Sequence, residues 1–587
     1  MDKILDNVNT PKDLKSMSRN ELVRLCEEIR KQLLARLSIT GGHIGSNLGM
    51  IEATVALHYV FDSPKDKIIF DVSHQCYTHK ILTGRKNAYI EPEQYCSVSG
   101  FTNSAESEHD IFSIGHTSTA VSLACGLAKA RDLKGEKSNV IAVVGDGALS
   151  GGEAFEGLNN AAALESNFII IVNDNDMSIA ENHGGLYQNL KLLRKTRGKA
   201  DCNFFQALGF EYRFISDGNN LNEVVDMLSK LKNVDHPVVV HMCTVKGKGY
   251  RFAETERENW HYMKAFDIDT GELLHKTTSA QTYENLTHDY LAGKMKEDSS
   301  IVAVTAGTPK ILGFDKELRE QYSKQFIDVG IAEEHAVAFA SGIAKNGGKP
   351  VFGVSSSFLQ RTYDQLSQDL ALNCSPAVIL VFFTGISQGS QTHMGVFDIP
   401  LVMSIPNVIY LAPTCKEEYL SMLDWGLKQT EKPVIIRIPG VAAESREATL
   451  LTSYDLPAKY EIAKLGTNVA ILALGKLFRL GEEVKNRLKK ESDIDATLIN
   501  PRYINELDNM TLENLKSNHR LVVTLEDGVI DGGFGAKVAG FYGSSAMKVL
   551  RFGAKKEFID HMKTKKQYNR YRLNPEQIIS DILDFLQ

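Results

Sequence analysis

Two short β-branched runs, Val140 to Val144 and Phe168 to Val172, each stop at a polar cluster: Gly145-Asp146-Gly147 after the first and Asn173-Asp174-Asn175 after the second. The segment between them is long enough for a helix, so the series reads as a βαβ unit whose two strands run parallel. Parallel strands bring their carboxyl ends out side by side. Asp146 and Asn175 are therefore expected together at one edge of a sheet, the edge at which open α/β sheets take ligands. A carboxylate, an amide oxygen and main-chain carbonyls make the hard oxygen set that Mg2+ prefers, and Gly145 and Gly147 let the backbone approach a ligand closely. The stretch reads as a cradle for a metal-bound diphosphate. Either half alone would pass for an ordinary turn or polar loop; the two in series argue for a site.

Composition sets bounds on what surrounds this cradle. Of 587 residues, 43% are apolar and 24% charged, which describes a soluble globular chain of about three or four domains. A formal net charge of −7 supplies no broad basic field, so nucleic acid is not an expected partner and any phosphorylated substrate must be held by a few local cations. The eight cysteines include no CxxC pair, which points away from zinc and disulfide frameworks and toward reduced thiols. The first residues, MDKILDNVNTPKDLK, lack the apolar core of a signal peptide, and the longest apolar run, Ala377 to Phe383, is too short to span a bilayer. A cytoplasmic protein with no membrane partner is expected.

Taken in order, Ser18 to Glu21 is a capping box opening an amphipathic helix whose Leu22, Leu25, Ile29 and Leu33 share one face. The Gly-rich stretch Ser38 to Leu48 is expected to be a loop presenting His43. A strand over Ile68 to Val72 leads to His74. Gly115, His116 and a Thr/Ser cluster then precede an apolar helix whose first N–H groups could serve an anion. Zinc is the alternative use for these histidines, but their separations do not match its usual ligand spacing. The polar, Lys/Arg-rich run Asn182 to Cys202 reads as an exposed loop. A strand over Val238 to Cys243 places Lys246 at its end, and His261 precedes a polar linker over Thr270 to Thr282.

A second α/β region begins at about Ala280. Its strand over Gln325 to Val329 leads to Glu333 and an Ala-rich helix, so Glu333 lies between apolar elements, where burial favours a protonated carboxyl able to donate. After strands over Ala377 to Phe383, Asn407 to Ala412 and Pro433 to Pro439, a polar linker covers Ala442 to Tyr460. The third region has strands over Val469 to Leu474 and Leu521 to Leu525, the latter followed by a Gly-rich stretch, Glu526 to Gly535, that lacks the dinucleotide fingerprint and reads as structural. The expected fold is α/β, three consecutive α/β domains with mostly parallel sheets, over residues 1–270, 280–442 and 460–587.

The segments GGHIGSNLG, DVSHQCYTHKILTGR, FSIGHTSTAVS, VVGDGA, NDNDMSIAEN, TVKGKGY, DVGIAEEHAVAFASG, SSFLQRTYDQ and QTHMGVFD occur in this order along nearly the whole chain. With them the sequence resembles the 1-deoxy-D-xylulose-5-phosphate synthase family of transketolase-like thiamine-diphosphate enzymes. That resemblance implies a diphosphate-binding first domain, a pyrimidine-binding second domain, a largely structural third domain and a homodimer. It implies thiamine diphosphate and Mg2+ as cofactors. Asp146, Asn175 and the carbonyl of Met177 would hold the metal, and His74, Gly115, Ser118, Gly147, Ala148 and Lys246 would contact the cofactor. Phe358 would stack on its pyrimidine and Glu333 would exchange a proton with it. His43, His74 and His261 would move protons and stabilise charge at the reacting carbonyls. Arg361, His393 and Arg437 would face the substrates: pyruvate as the 2-oxo acid donor, or a ketose in its place, and D-glyceraldehyde 3-phosphate as the aldehyde acceptor.

The departures from the family gather at the acceptor end. Phe383 stands where the family places an arginine, Ser355 where it usually has tyrosine, and Gly389 or Ser390 where an aspartate belongs. The loop over 182–202 is also shorter than the family's. None of these touches the residues implied for the metal, the diphosphate or the Glu333 proton, so it is the acceptor's identity that they bear on.

Overall fold

The computed structural model describes residues 3–275 and 281–587, so the start of the second region at Ala280 and part of the linker over 270–282 lie outside the described residues. The chain forms two compact units: residues 1–278 with 330–332, and residues 279–329 with 333–587.

The first unit is built on a five-stranded parallel sheet. Its strands are β1 (Lys67–Phe70), β2 (Val140–Gly145), β3 (Phe168–Asp174), β4 (Glu211–Ile215) and β5 (Pro237–Cys243), in the spatial order β1-β2-β3-β5-β4. β2 shows why such runs are almost wholly apolar: Ile141 and Val143 pack into one core while Val140, Ala142 and Val144 pack into another on the opposite face. Gly145 is in register with Asn173, so the polar clusters after β2 and β3 emerge at the same edge.

The helices that position the site are α1 (Arg19–Thr40), α2 (Ile44–Gly49), α3 (Ala120–Leu133), α4 (Gly152–Ala161) and α5 (Gly185–Lys195). The capping box of α1 is present, with Ser18 and Glu21 satisfying each other's backbone N–H groups. Three expectations require correction. The stretch 38–48 is not a continuous loop, because α1 runs on to Thr40 and α2 begins at Ile44, leaving His43 at its N-cap position. The strand over 68–72 stops at Phe70, because Val72 and Ser73 take positive φ and turn the chain. The run 182–202 contains α5: Tyr187, Leu190 and Leu193 recur at helical spacing and are buried, while its basic residues lie on the outer face and in the last turn, where cations suit the helix dipole.

The second unit holds two sheets. One is six-stranded and parallel, from β6 (Ile301–Thr305), β7 (Phe326–Asp328), β8 (Lys349–Ser355), β9 (Val378–Thr384), β10 (Ile409–Leu411) and β11 (Val434–Pro439), in the order β10-β11-β9-β8-β6-β7. Helices α6 (Glu333–Lys345) and α7 (Lys416–Gly426) belong to this layer. The other sheet comprises β12 (Glu461–Lys464), β13 (Asn468–Ala473), β14 (Thr497–Asn500), β15 (His519–Val529) and β16 (Lys548–Ala554), in the order β12-β14-β13-β15-β16. β12 pairs antiparallel with β14, and the other pairs in this sheet are parallel. β15 runs four residues past the expected Leu525, so the first part of the Gly-rich stretch after it is strand.

The two sheets of this unit share one apolar core, which includes Ile379, Tyr410 and Met422 from the first and Leu472, Ile499 and Val522 from the second. The segment 443–460 between them has no helix or strand, yet Tyr454 is fully buried. A buried polar ladder spans the same junction. Glu418 of α7 accepts from Arg502 Nε at 2.7 Å and from Asn500 Nδ2 at 3.0 Å, and Glu461 accepts from Arg446 at 2.8 Å and from Asn500 at 3.1 Å.

Candidate active site

At the carboxyl edge of the first sheet, Asp146 follows β2 directly and Asn175 follows β3. Asp146 is 1% exposed, and its Oδ2 accepts from the Met177 N–H at 3.1 Å and from Asn182 Nδ2 at 2.8 Å. Burial first, and the neighbouring Asp174 second, push this carboxyl well above its ordinary range. The Asn175 Oδ1 is buried and has no hydrogen-bond partner among the described residues. A buried carboxylate and a buried amide oxygen without a partner, on adjacent strand ends, suit a hard dication. Gly147 serves close approach, but of the chain itself: a Cβ there would stand 2.8 Å from Ser178 Cβ. Ala148 is buried beside it. Lys246 is 2% exposed, donates to the Ser178 carbonyl at 2.6 Å, and is pushed down to about 8 by burial, with Asp146 opposing.

The Gly115–Ser118 turn differs from expectation. The Asp71 carboxylate accepts from the N–H groups of Ser118 at 2.8 Å and Ala120 at 3.0 Å, so it already occupies the start of α3. Ser118 Oγ donates to the Ala148 carbonyl at 2.8 Å. Ser118 thus fixes the turn after Asp146, and its N–H is not available to an anion.

His43, His74 and His261 come together in the first unit. Their ring centroids lie 5.1 Å (His43 to His74), 5.5 Å (His43 to His261) and 5.2 Å (His74 to His261) apart. Tyr262 and Phe101 stand edge-on to His43 at 5.1 and 5.7 Å. His74 Nε2 shares a hydrogen bond with Ser46 Oγ at 2.9 Å. Burial, helped by Lys246 and the other two imidazoles, holds His261 well below its usual range, so it is neutral.

In the second unit, Glu333 opens α6 and is 3% exposed. Its Oε2 has no hydrogen-bond partner among the described residues, the Arg361 guanidinium lying 3.7 Å away. Burial pushes the carboxyl up to about 7, with Arg361 holding it down from higher values. Phe358 is in edge contact with His393, ring centroids 5.6 Å apart. Arg437 does not stand open to a substrate. It is 3% exposed, donates to Asp398 Oδ2 at 2.6 Å and pairs with Asp527. Phe383 is 46% exposed with a φ of 56°, and a Cβ on Gly440 would touch its ring at 3.3 Å.

Asp71, Tyr187, Arg194 and Arg257 were not anticipated at the site. The periodicity around Tyr187 carried the signal for the helix; the partners of the others are distant in sequence. Arg257 donates to the Asn175 carbonyl at 3.1 Å.

Comparison with known proteins accords with this geometry. The family model described as 1-deoxy-D-xylulose-5-phosphate synthase matches residues 5–203 and 194–244. The transketolase pyrimidine binding domain matches 279–442, and the transketolase C-terminal domain matches 458–578. The parallel sheets and these matched segments together define a transketolase-type, thiamine-diphosphate-dependent transferase. A 1-deoxy-D-xylulose-5-phosphate synthase of Caldanaerobacter subterraneus subsp. tengcongensis is 38% identical, covering 99% of this chain and 99% of its own length. One from Clostridium acetobutylicum is 38% identical over 100% of both chains. Within that class, the chain belongs to the 1-deoxy-D-xylulose-5-phosphate synthase family.

Proposed function

We propose that this chain joins the two-carbon remainder of pyruvate, after loss of carbon dioxide, to D-glyceraldehyde 3-phosphate, giving 1-deoxy-D-xylulose 5-phosphate, with thiamine diphosphate and Mg2+ as cofactors. The observation that carries the cofactor reading is the pair of buried oxygens on adjacent strand ends, Asp146 and the unpartnered Asn175 Oδ1. The Met177 carbonyl completes the metal's oxygen set, and residues 1–270 act as the diphosphate-binding domain. Residues 280–442 take the pyrimidine and residues 460–587 are structural. The assembly is a cytoplasmic homodimer.

Bound thiamine diphosphate supplies a carbon nucleophile that also accepts the electron pair released with carbon dioxide. The chain's own groups do the rest. Glu333, which burial keeps able to hold a proton up toward neutrality, exchanges it with the aminopyrimidine, against which Phe358 packs. Lys246 neutralises diphosphate charge, with Gly147 and Ala148 beside it, while Ser118 and Gly115 shape the turn beneath. His43, His74 and His261 form one cluster around which protons on the reacting carbonyl oxygens can be held and moved, with His261 neutral before reaction. Arg361 and His393 serve the substrate end.

One observation favours a second reading, a related transfer with a less charged aldehyde or a ketose donor. Arg437 is committed to Asp398 and Asp527, and exposed Phe383 presents a ring, so these two positions offer a phosphate no cation. Incubating the purified protein with thiamine diphosphate, Mg2+, pyruvate and D-glyceraldehyde 3-phosphate tests the first reading. Release of carbon dioxide with formation of deoxyxylulose phosphate supports it. Absence of both, with turnover of a ketose donor or an unphosphorylated aldehyde, replaces it with the second.

A further inference from the structure

Helix α5 touches both halves of the cradle. Near its start, the Tyr187 hydroxyl lies 3.2 Å from the Asp146 carbonyl oxygen and 3.1 Å from that of Gly147. At its end, Arg194 Nη1 donates to both carboxylate oxygens of Asp174 at 2.7 Å, and its Nη2 donates to Asp176. One guanidinium therefore holds the residues on either side of Asn175. The clamped turn is not relaxed, since Asp176 itself has a φ of 61°, in the left-handed region. Asp174 is 1% exposed and is gripped from behind by His241, whose Nε2 lies 2.7 Å from Oδ2 while its Nδ1 shares a 2.7 Å hydrogen bond with the Tyr212 hydroxyl. Tyr212 lies on β4 and His241 on β5, so the grip extends to the far strands of the sheet.

We propose that α5 is a brace for the metal-diphosphate cradle. Arg194 clamps the turn that carries Asn175 while Tyr187 holds the turn that carries Asp146, so a single helix sets the spacing between the two. Tyr187 and Arg194 are positioning residues: they act through Asp146, Gly147, Asp174 and Asp176 and touch neither metal nor substrate. The inference rests on the reading that this cradle binds Mg2+ and a diphosphate. Without Arg194, Asp174 keeps a buried carboxylate with its bidentate partner gone, and the 174–176 turn is the segment free to relieve it. A rigid guanidinium fork reaches two carboxylates in fixed directions, which a lysine ammonium does not reproduce.

The test is calorimetric titration of the purified full-length chain with thiamine diphosphate, with and without Mg2+, for the wild type, Arg194→Gln, Arg194→Lys and Tyr187→Phe, alongside the melting temperature of each cofactor-free protein. Arg194→Gln and Tyr187→Phe are expected to weaken Mg2+-dependent binding by about 10- to 100-fold, the range found when the supports of metal ligands are removed. Arg194→Lys should recover only part of that loss. Affinities within about twofold of the wild type for both Arg194→Gln and Tyr187→Phe would overturn the brace, even if their melting temperatures fell, because a merely structural helix lowers stability without changing the cradle. Should Arg194→Gln not fold, Tyr187→Phe decides, since it removes a single hydroxyl. A wild type that shows no Mg2+-dependent binding would sink the cofactor reading itself and the brace with it, an outcome distinct from equal binding by all four proteins.

Discussion

Glu333→Gln removes an ionisable carboxyl while keeping the side chain's length and one of its oxygens, and so isolates what burial does at that position. Burial pushes this group from its ordinary 4.5 up to about 7. At about 1.36 kcal/mol per tenfold change in proton affinity, the ionised form costs the folded state roughly 3 kcal/mol. The sign follows from proton counting: between pH 4.5 and 7 the folded chain holds a proton that the unfolded chain has released, so stability falls as pH rises through that window and levels off above it. Below pH 4.5 both states are protonated and the glutamine variant should match the wild type. Above pH 7 it should be the more stable by up to roughly 3 kcal/mol. Urea unfolding of the cofactor-free protein reads this out. The chain's two tryptophans, Trp260 and Trp425, lie in different units, so a Trp260→Phe background leaves Trp425 to report on the unit that contains Glu333. In the coupled reaction the same variant should lose about 10²- to 10⁴-fold in turnover, as for loss of a general acid. Parallel pH profiles for wild type and variant would refute the burial argument, whatever happened to activity.

Asp146→Ala and Asn175→Ala should each abolish Mg2+-dependent thiamine diphosphate binding, by about 100-fold or more in a calorimetric titration, while circular dichroism stays unchanged; retained binding would move the metal elsewhere. Arg437→Met should lower the melting temperature sharply, since depriving the buried Asp398 carboxylate of its cation costs about 3–5 kcal/mol, while Asp527 keeps Lys476 at 3.0 Å. A variant that melted like the wild type but showed a raised KM for aldehyde would return Arg437 to the substrate site. Phe383→Arg adds a cation at an exposed position and should lower the KM for a phosphorylated aldehyde by about tenfold relative to its unphosphorylated analogue, the scale of one charge-assisted hydrogen bond. No change in that ratio would place Phe383 away from the acceptor's phosphate.

The central βαβ unit was legible because its strands are buried on both faces and so read as unbroken β-branched runs, and because parallel strands leave their last polar residues at one edge. Glu333 was legible for a related reason: a carboxyl between two apolar elements has little chance of staying in water. What escaped reading depends on partners far away in the chain. Ser118 looked like a free helix start until Asp71 proved to occupy its N–H. Arg437 looked like a cation for phosphate, but its two carboxylates are contributed by residues 398 and 527. The run 182–202 failed differently. Its charges suggested a solvated loop, and the spacing of Tyr187, Leu190 and Leu193 was the periodic signal to weigh against them. Strands β4, β12, β14 and β16 were not anticipated; in β4, β12 and β16 most positions are exposed or partly buried, which interrupts the apolar run.

The ladder of Glu418, Asn500, Arg502, Glu461 and Arg446 bears on how this chain can be divided. Glu418 and Arg502 are both buried, on opposite sides of the segment 443–460, and each neutralises the other. Separating the second unit's two sheets would break this pair and expose the apolar surface they share. A protease that nicked the chain between them would therefore yield two pieces that stay together under native conditions. The third sheet is not a module that can be removed or grafted, because the charge that makes its interior tolerable is supplied from the other side of the cut.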